Sequence, residues 1–270
     1  MRFGLIGHPI EHSLSPALFK AGYDGRYPYE LIQTADFEEA YARFLADYDG
    51  INVTAPFKEL AIRKADILSE ECKAIGATNL LVKTPEGIKA YNSDYLGLLI
   101  CLAESSDEAK SVLPTWPQWE GFFSPRQMAR HRALIVGLGG AGKAAKAAAE
   151  ASGHEVVLMN RTQYCDEIKP LSEFVEEFRK ADVIIYNLPV RIDGLDKITD
   201  ELLTECGPKT IIEANYRNPS FDSGLIQRMK DANPESRYIG GKTWLLMQAV
   251  TGYEIFTGET PDLGNMSACL

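Results

Sequence analysis

The sequence predicts an α/β protein of two domains, the second built on a doubly wound parallel sheet. Three observations carry this prediction. From Ala133 onward, short apolar runs alternate with helical stretches, the pattern of strands covered on both faces by their crossover helices. A glycine-rich segment, Gly137 to Gly142, stands at the first strand-to-helix junction of that half. From Met1 to about Ile100 a different regime holds, with β-rich runs, amphipathic helical stretches and a hairpin.

In the first regime, Phe3 to Gly7 reads as a buried strand. Ser15-Pro16 opens a helix to about Tyr23, since proline's fixed φ and missing N–H suit a first turn. Tyr27 to Thr34 alternates like a strand, and Asp36 can cap a helix running to about Asp47. Ile51 to Thr54 is a second apolar strand, followed by an expected helix from Pro56 to about Leu68. Thr78 to Lys83 and Ile88 to Tyr91 flank Thr84-Pro85-Glu86-Gly87, which predicts a hairpin. A helix starts near Asp94. Residues 104–132 are the least regular, with Pro114, Pro117 and Pro125 among Trp116, Trp119 and Phe122. They read as a connection whose aromatics plug a gap between domains.

In the second regime, Ala133 to Val136 is a strand. Gly142 to Ala151 is an alanine-rich helix that Gly153 closes. Glu155 to Met159, Asp182 to Tyr186 and Thr210 to Ala214 are further strands, and Gly241 to Phe256 is helical. The expected domains are 1–103 and 133–240, joined by the connection at 104–132.

Composition narrows the function. The net charge of −10 repels phosphate backbones, so nucleic acid is not an expected partner, whereas one small anion in a cleft is compatible with it. The five cysteines are odd in number, widely spaced and without C-x-x-C, so neither a disulfide framework nor a metal cluster is expected. No apolar run approaches the length of a membrane span, and the chain opens on a strand rather than a leader segment. A cytoplasmic location is the expectation.

Gly137-Leu138-Gly139-Gly140-Ala141-Gly142 satisfies G-x-G-x-x-G after an apolar strand and at the start of a helix. In that context the backbone of Gly137, Gly139, Gly140 and Ala141 can approach a pyrophosphate, and the helix N-terminus supplies free N–H groups. A plain glycine turn is the bland alternative. At the end of the next strand stands Asn160-Arg161-Thr162, where dinucleotide sites specific for NAD carry an acidic residue. An arginine there suits a 2′-phosphate by charge and fork geometry, which favours NADP, with NAD still open.

Lys58 is the first candidate for chemistry. It lies in Asn52-Val-Thr54-Ala-Pro-Phe-Lys58, where Thr54 could cap the helix expected from Pro56 and place the ammonium in its first turn. A cation is disfavoured there, and partial burial would add to this, a poor choice for stability and a good one for proton transfer. A lone lysine is otherwise a solvated charge. Asp94, in Asn92-Ser-Asp94, is either a helix cap or the partner of Lys58. Ser13 and Ser15, in His12-Ser-Leu-Ser-Pro16, could hold a carboxylate, or Ser15 could be an N-cap alone. Gln248 falls in an apolar helical run, where its amide meets either a substrate hydroxyl or the backbone.

These segments, taken together with Gly76-Ala-Thr-Asn79, Tyr216 and Gly241 through Gln248, resemble the shikimate dehydrogenase family over nearly the whole chain. The resemblance implies a Rossmann-type NADP domain and an N-terminal substrate domain to which 241–270 returns, with the reaction in the cleft between them. It implies reversible reduction of 3-dehydroshikimate to shikimate, a step of aromatic amino acid biosynthesis. Lys58 and Asp94 would be the catalytic pair. Ser13, Ser15 and Tyr216 would hold the substrate carboxylate; Thr54, Asn79 and Gln248 would contact its hydroxyls. Gly137, Gly139, Gly140, Ala141, Asn160, Arg161, Thr162 and Gly241 would bind cofactor. A monomer and a homodimer are both compatible.

The chain departs from the family pattern at several points. Cys165 replaces a second basic residue, Asn187-Leu-Pro-Val190 replaces an Asn-Ala-Thr-like segment, and Trp244 replaces a methionine. Ser93 and Leu80 replace threonines, and Phe19-Lys20 replaces a His-Asn pair. These leave open a dehydrogenase of quinate or a related polyol acid using NAD or NADP, or a nucleotide-binding regulator of weak activity.

Overall fold

The computed structural model describes residues 1–104 and 131–270. The aromatic connection expected around Trp116 to Phe123 lies outside the described residues. The chain divides into two compact units. One holds Met1–Gly97 and Leu246–Leu270, and the other holds, of the described residues, 98–104 and 131–245.

The first unit contains strands β1 (Phe3–Gly7), β2 (Tyr29–Gln33), β3 (Gly50–Val53), β4 (Ile67–Leu68), β5 (Leu80–Thr84) and β6 (Gly87–Tyr91), in the sheet order β2-β1-β3-β5-β6-β4. β1 lies parallel to both β2 and β3, and the β5–β6 hairpin joins β3 antiparallel. Its helices are α1 (Ser15–Gly22), α2 (Phe37–Asp47), α3 (Lys58–Ala61), α4 (Glu70–Ile75) and the start of α5 (Ser93–Glu104). The Asp36 carboxylate accepts from Glu38 N at 2.9 Å and caps α2 as its position predicts. Ile6, Ile32, Phe44, Ile51 and Phe57 form a core on one face of the sheet.

The long helix expected after Pro56 does not form. α3 has four residues and runs into a single 3₁₀ turn, Ile62–Lys64, while Ile67–Leu68 is a strand parallel to β6. The edge of β6 wins this segment: Asp66 N donates to Ile88 O at 2.8 Å, and Ile88 N donates back to the Asp66 carboxylate at 2.8 Å. Those bonds outweigh local helix preference. A further helix without a sequence expectation, α4, closes on Gly76 at φ +71°.

The second unit contains β7 (Arg132–Val136), β8 (Glu155–Asn160), β9 (Ile168–Pro170), β10 (Val183–Tyr186), β11 (Thr210–Glu213) and β12 (Arg237–Ile239). Every pairing is parallel, in the order β12-β11-β10-β7-β8-β9. Strand order reverses between β7 and β10, so the carboxyl ends of these two strands border the crevice where doubly wound sheets bind ligands. This is the expected Rossmann-type sheet. Its helices are α6 (Gly140–Ala151), α7 (Phe174–Lys180), α8 (Asp193–Asp196), α9 (Asp200–Glu205) and α10 (Ser223–Ala232). Ala144, Ala145, Ala148 and Ala149 of α6 are fully buried, which explains the alanine-rich sequence: small side chains let the helix lie close on the strands. Helix α11 (Gly241–Thr257) runs from the second unit into the first, and α12 (Leu263–Ser267) follows. In the first unit Phe256 of α11 stacks on Phe3 with ring centroids 4.8 Å apart. No described helix is long and apolar enough to cross a membrane.

Candidate active site

Lys58 and Asp94, 36 residues apart, form a direct ion pair between Lys58 Nζ and Asp94 Oδ2. Their side chains are only 18% and 17% exposed, so the pair is largely withdrawn from water without being sealed from it. Thr54 does not cap α3: Phe57 is the N-cap, and Phe57 N donates to the Thr54 carbonyl at 3.0 Å. Four residues also sum too few peptide dipoles to make helix polarity the decisive force on Lys58. Partial burial beside a carboxylate is what distinguishes it. The Lys58 carbonyl accepts from Thr78 N at 3.2 Å, which ties the lysine backbone to the entry of β5.

Asp94 is not a cap either. Asn92 performs that role, accepting from Tyr95 N at 3.1 Å through its side chain, while its amide donates to Ala77 O at 3.2 Å. Asp94 is thereby left to face Lys58. The neighbouring Ser93, fully buried, joins two of the expected substrate contacts. Asn79 Oδ1 accepts from Ser93 N at 2.7 Å, Asn79 Nδ2 donates to Ser93 Oγ at 3.0 Å, and Ser93 Oγ donates to Gln248 Oε1 at 3.1 Å. Both amides are thus fixed in orientation.

Gln248 reaches this cluster because α11 approaches α5 very closely. A Cβ on Gly97 would lie 2.5 Å from Gln248 N, and one on Gly252 would lie 3.1 Å from Ser93 Oγ. Glycines one helical turn from Ser93 and from Gln248 allow this crossing. Neither Ser93 nor the two glycines was assigned a role from sequence; the motif Asn92-Ser-Asp94 was the available signal.

Ser13 and Ser15 form a separate part-buried pair. Ser13 Oγ accepts from Ser15 N and donates to Ser15 Oγ, both at 3.2 Å. Leu14 is the N-cap of α1 and Ser15 its first residue, so Ser15 is not itself the cap. Tyr253 OH donates to the Ser15 carbonyl at 3.0 Å, and Tyr29 OH donates to Asn52 Oδ1 at 2.7 Å. Burial pushes both phenols well above their ordinary pKa and keeps them neutral donors. Thr54, half-buried, donates its N–H to Ile6 O at 3.0 Å.

In the second unit, the glycine loop has the geometry that a pyrophosphate requires. Gly137 sits at φ +89°, and Gly139 is the extended N-cap of the twelve-residue α6, with no side chain to satisfy the first N–H groups. A Cβ on Gly142 would lie 1.9 Å from Gly137 O, whereas nothing lies within 4 Å of one on Gly139. The loop is therefore packed tightly from behind and open at Gly139. Asn160, ending β8, fastens two pieces: its Oδ1 accepts from Leu138 N at 3.4 Å and its Nδ2 donates to Thr162 O at 3.0 Å. Arg161 and Thr162 are exposed beyond it. Tyr216 lies on the loop after β11, and a Cβ on Gly241 would lie 2.6 Å from Tyr216 N. These residues fit a dinucleotide: free N–H groups at a helix start, a backbone able to approach closely, and an exposed guanidinium beside it.

Two family models match the chain: the shikimate dehydrogenase substrate binding domain at residues 5–81, and the NAD binding domain of D-isomer specific 2-hydroxyacid dehydrogenase at residues 96–217. A shikimate dehydrogenase (NADP(+)) of Dinoroseobacter shibae is 30% identical, over 96% of this chain and 93% of its own. The chain belongs to the shikimate dehydrogenase family. The relative from Caldanaerobacter subterraneus, also a shikimate dehydrogenase (NADP(+)), is 28% identical over 95% of this chain and 91% of its own. The crystal structure of Thermus thermophilus shikimate 5-dehydrogenase in complex with NADP(H) and shikimate superposes with a TM-score of 0.74 at 25% identity, covering 100% of this chain and 98% of that one.

Within the shikimate dehydrogenase family this chain's departures now have places in the fold. Cys165 is exposed four residues beyond Arg161, so Arg161 is the basic residue of that turn. Asn187 follows β10 and donates its backbone N–H to Val136 O at 2.7 Å, continuing the β7–β10 pairing. Leu188 packs behind Gly137, 2.8 Å from where a Cβ would stand. Trp244 is buried in the first turn of α11.

Proposed function

We propose that this chain is an NADP-dependent shikimate dehydrogenase, reversibly reducing 3-dehydroshikimate to shikimate. The observation that carries the reading is the Lys58–Asp94 pair, four-fifths buried and adjoining the Asn79–Ser93–Gln248 amide cluster.

The bound cofactor would supply, as NADPH, the hydride that the carbonyl carbon takes up, and as NADP⁺ would receive it in the reverse direction. Lys58 donates its proton to the carbonyl oxygen as that oxygen gains negative charge, and withdraws it in reverse. Asp94 holds the ammonium in place. Asn79, Thr54 and Gln248 contact ring hydroxyls. Ser13, Ser15 and Tyr216 hold the carboxylate. The backbone of Gly137, Gly139, Gly140 and Ala141 would hold the pyrophosphate, with Asn160, Arg161 and Thr162 at the 2′-phosphate and Gly241 near the nicotinamide. Residues 1–103 with 241–270 serve the substrate, and 133–240 the cofactor.

Purified protein incubated with shikimate and NADP⁺ tests this. The expected result is growth of the reduced-cofactor absorbance with saturation in both reactants. Binding of NADP⁺ without turnover of shikimate would reject the assignment.

A further inference from the structure

Glu213, the last residue of β11, is completely buried. Among the described residues no cation pairs with it. Three donors serve its carboxylate instead: Ser220 N on Oε1, Phe221 N at 3.4 Å on Oε2, and Tyr238 OH at 2.8 Å on Oε2. Removing a carboxylate from water without a counter-charge is expensive, and an apolar residue at the end of a buried strand would avoid that cost. The partners show what the carboxylate secures. Ser220 and Phe221 end the loop that begins at Ala214, so a single side chain at the start of the loop holds its far end. Tyr238 adds the neighbouring strand β12. The loop so closed carries Tyr216, and its backbone is pressed against Gly241: a Cβ there would lie 2.7 Å from Ala214 O as well as 2.6 Å from Tyr216 N. Burial also pushes the Tyr238 phenol well above its ordinary pKa, with the carboxylate adding to the shift, so it remains a donor.

We infer that Glu213 is a positioning residue for substrate capture, acting through Tyr216 by clamping both ends of the 214–221 loop. This rests on the reading of Tyr216 as a substrate contact. Glu213→Gln replaces one acceptor oxygen by an NH₂ group that faces donors, and so opens the clamp with little change in volume.

The experiment is a double-mutant cycle on shikimate oxidation with Glu213→Gln, Tyr216→Phe and the pair. NADP⁺ dissociation constants and thermal melts are recorded beside it. The expected result is a KM for shikimate raised about tenfold in Glu213→Gln, kcat within about threefold of the parent, and an unchanged NADP⁺ dissociation constant. In the Tyr216→Phe background, Glu213→Gln is expected to have no further effect on KM, because the clamp acts by placing the Tyr216 hydroxyl, which that background lacks. Glu213→Asp is expected to recover part of the loss. Should Glu213→Gln not fold, Tyr238→Phe removes a single donor to the same carboxylate and reads the same cycle. Multiplying effects in the double variant, an unchanged KM in Glu213→Gln, or an unchanged KM in Tyr216→Phe would each overturn the inference. Turnover by the unaltered protein separately decides the proposed function.

Discussion

In the proposed reaction Lys58 donates the proton and Asp94 holds it in place, and the structure positions both partners of their ion pair. Asn92 caps α5 and frees Asp94 from capping duty; Thr78 fixes the Lys58 backbone to the start of β5. Asp94→Asn keeps the shape and removes the charge. A fall in kcat of about 10²-fold is expected, the lower end of what positioned acid–base groups contribute. Steady-state kinetics with both reactants varied checks this, and an unchanged kcat would remove Asp94 from the proton path. Arg161, exposed after β8, is expected to matter for one cofactor only. Arg161→Ala should weaken NADP⁺ binding about tenfold and leave NAD⁺ binding unaltered, as fluorescence titration would measure. Lys58, Asp94, Asn79, Gln248 and Arg161 were nameable from the sequence because short motifs carry them in order. Ser93 and Glu213 were not. A serine inside a motif and a glutamate ending a strand look ordinary until their partners, up to 155 residues away, are known.

Elements set where these side chains meet. The α5–α11 crossing depends on Gly97 and Gly252, and the cofactor loop depends on Gly142, each a place where a backbone passes without room for a Cβ. Gly142→Ala would force its methyl into the Gly137 carbonyl. A loss of about 3 kcal/mol in stability is expected, with NADP⁺ binding abolished in whatever remains folded. Calorimetry and titration measure the two separately; a variant that melts and binds like the parent would refute the packing argument. Strands and helices with strong local signals were legible from sequence: Asp36 before α2, the Pro85-Glu86 turn between β5 and β6, Gly153 after α6. The helix expected from Pro56 to Leu68 was not what formed, because the hydrogen bonds of Asp66 to β6 are non-local. Of the elements without a sequence expectation, β9, β12, α8 and α9 are too brief to show a period.

At the scale of the whole molecule, the second unit is tied at the amino ends of its strands by charge. The Glu177 side chain is 1% exposed and accepts from Arg132 at 2.8 Å, with Lys169 Nζ 2.9 Å away. Burial alone would raise its carboxyl pKa, but the two cations outweigh that and hold it below the ordinary value. A lowered folded-state pKa means the stabilisation is present above the unfolded value, about 4.3, and is lost as pH falls through the lower folded value. Glu177→Gln is therefore expected to cost about 2 kcal/mol at neutral pH, with the difference from the parent shrinking toward zero in acid. Denaturant titrations across pH test this, and a pH-independent difference would contradict it. The doubly wound order of the second sheet followed from alternation and the glycine loop. The mixed sheet of the first unit, with β4 inserted at its far edge, did not, since nothing local specifies which edge a two-residue strand will join.

In the proposed reaction, Lys58 transfers the proton that accompanies hydride transfer. Single-turnover stopped flow of the Lys58→Ala protein, preloaded with NADP⁺ and mixed with shikimate, tests it most directly. The expected rate of reduced-cofactor formation is about 10³-fold below the parent's, with the NADP⁺ dissociation constant unchanged. A rate equal to the parent's, in protein that binds both reactants normally, would contradict it.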